Sequence, residues 1–217
     1  MKEKIKALFK DPDFLLIFAY ILILPGFGLL NRPIGTVRNL YAPIDDRIPF
    51  VPSFILIYHS WFPFLMMNAF AFYKHERSEY RKYILQLIIG QFAAYLTFIF
   101  FQTDVSRATN LGNSFFEKII SLTYKVDNHY NGFPSVHALT TTIVIIYVLR
   151  SGFKPVYKVL AVFYSVLIMA SLLLVKQHAF WDLPAGIVYG FLTYPLATRL
   201  FKRLFPDMAN NGEKIKA

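Results

Sequence analysis

Six apolar stretches divide the chain: Phe14–Leu30, Ser53–Tyr73, Tyr83–Thr103, Ser135–Leu149, Val159–Val175 and Leu183–Phe201. Most are near the roughly 20 residues that cross a bilayer as a helix. Hydrocarbon offers the backbone no hydrogen-bond partners, so only helices and closed barrels span it. The period-2 alternation of barrel strands is not seen. The pattern predicts an all-α polytopic membrane protein with six transmembrane helices. It reads as one domain over residues 1–206, followed by a polar cytoplasmic tail at 207–217.

The fourth stretch is the shortest, at 15 residues, and rises only about 22 Å as a helix. Either it runs on past Arg150, or its first turn starts below the membrane surface. The second option leaves Ser135 and His137 in a recess. Thr140, Thr141 and Thr142 suit a span because their hydroxyls can bond back to helix carbonyls.

Two of the connecting loops are long. Asn31–Pro52 carries Pro33, Pro43, Pro49 and Pro52 and is expected to be extended rather than helical. In Asp104–Phe133, Ser114-Phe-Phe-Glu117 fits a capping box. Phe115, Ile119, Leu122 and Val126 then recur at helical spacing, which predicts a short helix lying in the membrane interface.

Composition sharpens the class. Of 217 residues, 56% are hydrophobic and 17% charged, against about 25% charged in soluble domains. Mean hydropathy is +0.43. These values argue against a soluble enzyme, a disordered chain and a coiled coil. Cysteine is absent, so no disulfide, thiolate nucleophile or Cys-bound zinc is available.

The net charge of +10 comes from 23 Lys and Arg against 13 Asp and Glu. With alternating spans, 16 of the 23 fall on one side and 7 on the other. The positive-inside rule makes the first side cytoplasmic, with both termini on it. The net charge then reports orientation in a plasma membrane, and nucleic-acid binding is set aside. The first apolar run is long for a signal peptide and no small-x-small site follows it, so it reads as an uncleaved span.

The polar residues that need an explanation gather on the outer side. Arg107 follows the third span, Asn131-Gly-Phe-Pro-Ser-Val-His137 opens the fourth, and Lys176-Gln-His178-Ala-Phe-Trp-Asp182 joins the fifth to the sixth. Ionisable groups at this depth are functional candidates by default. Pro134 suits the first position of a helix, whose free N–H groups make an anion site. Ser135 adds a hydroxyl and His137 a proton donor. His178 and Asp182 are four apart and, if helical, can hydrogen-bond. A carboxylate beside imidazole fixes the tautomer and frees the other nitrogen as nucleophile or base. The blander reading of Asp182 is an N-cap of the sixth span. Arg107 and Lys176 could hold phosphate oxygens or snorkel to lipid headgroups. Taken together the set suits phosphoryl transfer through a phosphohistidine.

At this point the sequence resembles the type 2 phosphatidic acid phosphatase superfamily of membrane lipid phosphatases. Its second motif, Pro-Ser-Gly-His, appears as Pro134-Ser135-Val136-His137. Its third, Ser-Arg-x5-His-x3-Asp, appears as Ser171-Leu172 followed by His178 and Asp182 at the family spacing. Its first, Lys-x6-Arg-Pro, survives as Arg107-Ala108. The resemblance covers roughly Gln102 to Gly190. It implies that His178 is the nucleophile, that Asp182 orients it, and that His137 protonates the leaving oxygen. It further implies that Ser135 and Arg107 hold phosphate oxygens, with no metal or other cofactor. Phe100 and Leu172 stand where the family has Lys and Arg, Ala108 replaces Pro and Val136 replaces Gly. Lys176 is the candidate for replacement charge. The Lys-Gln-His-x3-Asp form also resembles a branch that includes inositol phosphorylceramide synthases, which are transferases.

The expected activity is hydrolysis of a lipid phosphate at the outer face: a polyprenyl diphosphate, phosphatidylglycerol phosphate or phosphatidate. A lipid phosphotransferase with an alcohol acceptor is the alternative, and a non-catalytic lipid binder or transporter the third reading. A metal held by His137, His178 and Asp182 is disfavoured by the nearby cations Arg107 and Lys176. His59 reads as a packed or interfacial histidine, His129 as a residue at the entrance, and His75 as solvated. Asp45, Asp46 and Arg47 read as a local loop network. Gly186 and Gly190 fit close helix packing, within the bundle or in a homodimer through span six.

Overall fold

A computed structural model describes residues 9–209. The chain is mostly helical. It opens with α1 (Pro12–Ile23), where Asp11 caps the first turn by accepting the Asp13 N–H and Pro12 stands at the first position. After α2 (Pro25–Leu30), the chain forms a two-residue strand, β1 (Arg38–Asn39), and a one-turn helix, α3 (Pro43–Arg47). A 3-10 turn at Pro52–Phe54 leads into α4 (Ile55–His59) and α5 (Trp61–His75). There follow α6 (Arg77–Phe100), β2 (Thr103–Asp104), α7 (Phe115–Val126), α8 (Val136–Arg150), α9 (Pro155–Leu174) and α10 (Asp182–Leu204).

Among the described residues, four segments are long and apolar enough to cross a membrane: Pro12–Leu30, Pro52–His75, Arg77–Phe100 and Pro155–Leu174. Val136–Arg150 is apolar but shorter. It stops at Arg150, where Ser151 caps it by donating its N–H to the Tyr147 carbonyl, so it does not run on. Helix α10 is long, but begins at Asp182, contains Pro195 and ends among Arg199, Lys202 and Arg203.

Helix α8 is the central one. Nearly all of its residues from Val136 to Val148 are buried, because α6, α9 and α10 pack around it. A helix apolar on every side is what such a position requires. Close approach depends on missing side chains. A Cβ on Gly186 would stand 2.4 Å from the Ser135 carbonyl oxygen, and one on Gly190 2.8 Å from the Thr142 side chain. The Gly186–Gly190 face is therefore filled by α8 of the same chain. Thr140 and Thr142 bond back to Val136 and Ala138, each at 2.7 Å.

The charged turns gather at one end of the bundle. Asp13 is buried there and takes Arg77 and, at 2.5 Å, Arg81. Arg81 also lies 3.0 Å from the Met208 sulfur, in a helical turn formed by residues 206–209. Of the expected cytoplasmic ends, residues 1–8 and residues 210–217 of the 207–217 tail lie outside the described residues. The loops carrying Ser135 and His178 lie at the opposite end.

Two expectations about the loops at that end are corrected. The Asn31–Pro52 loop is not simply extended, since α3 forms within it. Pro43 takes the first helical position, which needs no N–H, and Asp45 accepts the Ala42 N–H at 2.9 Å. The all-helical expectation also misses the short parallel pair β1–β2, with Arg38 opposite Thr103. The predicted helix after Ser114 is present as α7. Its capping box is formed, with the Ser114 N–H donating to Glu117 at 3.1 Å.

Candidate active site

Three chain segments meet at the loop end of α8. Ser135 is the N-cap of that helix, and its Oγ accepts the Ala138 N–H at 3.2 Å. The Ser135 N–H donates to the Asp182 carbonyl at 3.0 Å, which ties the start of α8 to the start of α10. Between α9 and α10 the chain makes a tight turn, and His178 lies in it. His178 Nδ1 is 3.2 Å from Asp182 Oδ2, and His178 Nε2 is 3.2 Å from Ser135 Oγ.

The proton positions follow from the partners. The carboxylate only accepts, so Nδ1 carries the hydrogen. In that tautomer Nε2 has only a lone pair to offer, so the Ser135 hydroxyl donates to it. The relay Ser135–His178–Asp182 leaves Nε2 as the unprotonated, potentially nucleophilic nitrogen. His137 stands beside it, with ring centroids 5.6 Å apart. The His137 ring is fixed by Tyr58 at 4.9 Å and Trp61 at 4.3 Å. Gly132 passes so close to Asp182 that an added Cβ would be 2.7 Å from Oδ2.

Ser135, His137, His178 and Asp182 are thus brought together as the sequence suggested. The pairing of His178 with Asp182 differs in kind from the expected helical one. Asp182 is the first residue of α10 and His178 precedes it in the turn, where Asp182 Oδ2 also accepts the Ala179 N–H at 2.9 Å. Nor is Asp182 the N-cap; Trp181 is.

The two cations are more committed than the sequence implied. Arg107 donates to the carbonyls of Tyr124 and Asn128, both at 3.0 Å, and to Gln177 Oε1 at 3.1 Å. Its guanidinium also lies 4.5 Å over the Tyr124 ring. Burial lowers its pKa, opposed by the charge of Asp127. Lys176 Nζ donates to the Asp45 and Ile48 carbonyls at 2.8 and 2.7 Å. Lys176 and Arg107 nonetheless line a cavity of about 200 Å³ that reaches His178 and is also lined by Tyr41, Asp45, Asp46 and Asp104.

On the far side, a largely apolar cleft of about 560 Å³ opens between Leu24, Phe27, Phe62 and the α7 residues Ile119 and Leu122. His137 and Asp127 line it as well. Asp127 was not singled out from sequence. Burial raises its carboxyl pKa, with Arg107 the largest opposing influence, and it accepts from Asn31 Nδ2 at 2.6 Å. Among the described residues, no three His, Cys, Asp or Glu side chains group to hold a metal ion.

The remaining candidates are placed as follows. His59 Nε2 is 2.9 Å from Thr123 Oγ1, tying α4 to α7. His129 stacks on Tyr130 at 4.3 Å and lines a small space beside His178. His75 is exposed. Asp45 Oδ1 accepts the Phe180 N–H at 2.8 Å, so the Asp45–Arg47 network reaches the His178 turn.

Residues 92–206 match the family model of the PAP2 superfamily. The chain belongs to the PAP2 superfamily. The match contains every residue of the relay and all of the helices that carry it. Membership supports a membrane protein with a phosphatase or phosphotransferase type of activity. No curated protein and no solved structure matches the chain.

Proposed function

We propose that this PAP2 protein is an integral-membrane lipid-phosphate phosphatase that works through a phosphohistidine on His178. The observation that carries the reading is the Ser135–His178–Asp182 relay, whose His178 lines a cavity rich in charged residues, beside His137, which lines an apolar cleft. A lipid tail fits the cleft, and its headgroup passes His137, which lines the cleft, to reach His178 across the small space that both histidines border.

In the first step His178 Nε2 attacks phosphorus, the P–N bond forms and the bond to the leaving oxygen breaks. His137, at the junction with the cleft, gives that oxygen its proton. Asp182 stabilises the imidazolium that develops, as an oriented carboxylate does in other relays. In the second step His137 takes a proton from water, the hydroxide attacks phosphorus, the P–N bond breaks and inorganic phosphate leaves. Ser135 and the first-turn N–H groups of α8 stabilise the equatorial oxygens. No step requires a metal or other cofactor.

The same reading makes α8 and α10 the fourth and sixth spans. Exposed Phe115, Leu122 and Val126 give α7 the apolar face of a helix lying in the interface. The excess of Lys and Arg at the opposite end supports a site on the outer face of the plasma membrane, with both termini in the cytoplasm. A homodimer through α10 would use its face of Val188, Phe191, Leu192 and Leu196, all exposed, since Gly186 and Gly190 are occupied.

One observation favours the transferase alternative. Asp45, Asp46, Asp104 and Tyr41 line the cavity that reaches His178, and carboxylates there would accept hydrogen bonds from a hydroxylated acceptor in place of water. Phosphate release by the purified protein in detergent with EDTA decides. Polyprenyl diphosphate, phosphatidylglycerol phosphate and phosphatidate are offered in parallel, with His178→Ala as control. EDTA-resistant release that vanishes in the variant is expected. Release that survives in His178→Ala would falsify the proposed nucleophile, and release that appears only with an added alcohol would favour the transferase.

A further inference from the structure

Two carboxamides beside His178 carry donors left unpaired by the described residues. Asn131 and Gln177 are 2% and 5% exposed, and Asn131 Nδ2 and Gln177 Nε2 have no hydrogen-bond partner among the described residues. Their orientations are fixed by what their oxygens accept. Asn131 Oδ1 lies 3.0 Å from Gln102 Nε2, a donor-only group whose two hydrogens it shares with the Leu30 and Arg32 carbonyls. Gln177 Oε1 accepts from Arg107 Nη2 at 3.1 Å, and a guanidinium can only donate. Neither amide can flip to hide its NH2 group without setting donor against donor.

Both side chains line one space of about 20 Å³ that also borders His137 and His178. Val136 and His137, which border it too, begin α8, where N–H groups lack intrahelical partners. The space therefore presents donors, oriented at rest, next to the nucleophilic histidine. Its size suits individual oxygen atoms of a bound group rather than a whole headgroup.

We propose that Asn131 and Gln177 are phosphoryl-oxygen ligands, and that their neutral amide donors stand in for the Lys and Arg replaced by Phe100 and Leu172. This rests on the phosphatase reading. It gives Arg107 a second task, since the guanidinium that was expected to touch phosphate instead aims the Gln177 amide. The ligand chemistry is a tetrahedral oxyanion, carried by a lipid or free in solution. A site built on neutral donors, with Asp127 and Asp182 close by, favours a phosphoryl group bearing little charge over a diphosphate.

The test uses the purified full chain in detergent, with tungstate and inorganic phosphate as probes and calorimetric titration as the readout, so that binding is measured without turnover. Gln177→Met and Asn131→Gly are the neutral variants; glycine suits the left-handed backbone of Asn131, at φ 64°. Each is expected to weaken tungstate at least tenfold while unfolding cooperatively. Gln177→Glu keeps the acceptor for Arg107 and is expected to lose binding as well.

Binding within twofold of wild type in any folded variant overturns the proposal, as does a wild-type protein that binds neither oxyanion. In the lipid arm, KM should rise in the same variants, and phosphatidate should be turned over better than polyprenyl diphosphate. If His178→Ala keeps full turnover, the phosphohistidine reading fails, while the titrations still decide the role of the amides.

Discussion

Asp182 reaches His178 backwards across a turn rather than along a helix. The carboxylate that holds His178 Nδ1 at 3.2 Å also closes the turn, by accepting the Ala179 N–H through the same oxygen. One oxygen thus sets both the backbone around the histidine and the orientation of its ring. Asp182→Asn would present an amide whose oxygen can serve only with its NH2 turned elsewhere in a buried place.

This arrangement leaves no room beside Asp182. A Cβ on Gly132 would be 2.6 Å from Val105 Cγ2 and 2.7 Å from Asp182 Oδ2. Gly132→Ala should therefore move the carboxylate by a fraction of an ångström; a full misplacement of about 1 Å costs about 10²-fold in rate, so a measurable loss up to that size follows. The expected outcome is such a loss of phosphate release with unchanged helical content by circular dichroism. Full activity in the variant would mean that the geometry around Asp182 is less critical than the relay implies.

Lys176 makes a second case for backbone and side chain working together. It sits just past α9 with φ at 53°, and the Lys176 and Gln177 N–H groups donate to the Leu173 and Leu172 carbonyls. That is a Schellman ending, at the position where glycine is usual. A side chain there costs about 1–2 kcal/mol, so the ties from Nζ to Asp45 and Ile48 have a strain to offset. Lys176→Gly is expected to keep the wild-type melting temperature within a few degrees, since relieved strain offsets the lost ties. Lys176→Ala keeps the strain and loses the ties, and should be the less stable of the two by about 1 kcal/mol. Limited proteolysis should cut the Asp45–Arg47 segment faster in both. Equal stability of Gly and Ala would remove the strain argument.

The sequence displayed what depends on periodicity and on titratable chemistry. Long apolar runs located the helices, and Ser114 with Glu117 located the start of α7. Ser135, His137, His178 and Asp182 were visible because hydroxyl, imidazole and carboxylate groups are conspicuous in an apolar chain. What stayed hidden depends on partners distant in sequence. Whether Arg107 faces substrate or Gln177 depends on a packing arrangement across 70 residues. Asn131 and Gln177 drew no notice because amides do not titrate, although both sit inside the quoted motifs. The short α3 was hidden because four prolines suggested an extended loop, while Pro43 happens to stand where a helix tolerates it.

Asp127 supplies a pH test. Burial raises its carboxyl pKa above the ordinary carboxylate value. The folded state thus binds this proton more tightly than the unfolded one does. The contribution to stability is full below the unfolded pKa and is lost as pH rises through the folded pKa. Asp127→Asn cannot lose it, and its amide oxygen still accepts from Asn31. The difference in melting temperature between variant and wild type should therefore grow in favour of the variant as pH is raised from below the ordinary carboxylate range to neutrality. A difference that is flat with pH would show that Asp127 ionises in the folded protein as easily as in the unfolded chain.

Ser135 carries two duties that substitution can separate. Its Oγ caps α8 through the Ala138 N–H, and its hydroxyl faces His178 Nε2. Replacing an N-cap serine by alanine costs about 0.5–2 kcal/mol, whereas glycine costs only a few tenths. Ser135→Ala should therefore lower the melting temperature and Ser135→Gly should hardly change it. Both lose the hydroxyl, and removal of one donor from a developing oxyanion costs about 10²–10³-fold in kcat. Comparable losses of phosphate release in the two variants, with unequal melting temperatures, are expected. If activity instead follows stability, so that glycine retains turnover and alanine does not, Ser135 serves only to begin α8, and the phosphoryl oxygens must rely on the backbone N–H groups and the neighbouring amides.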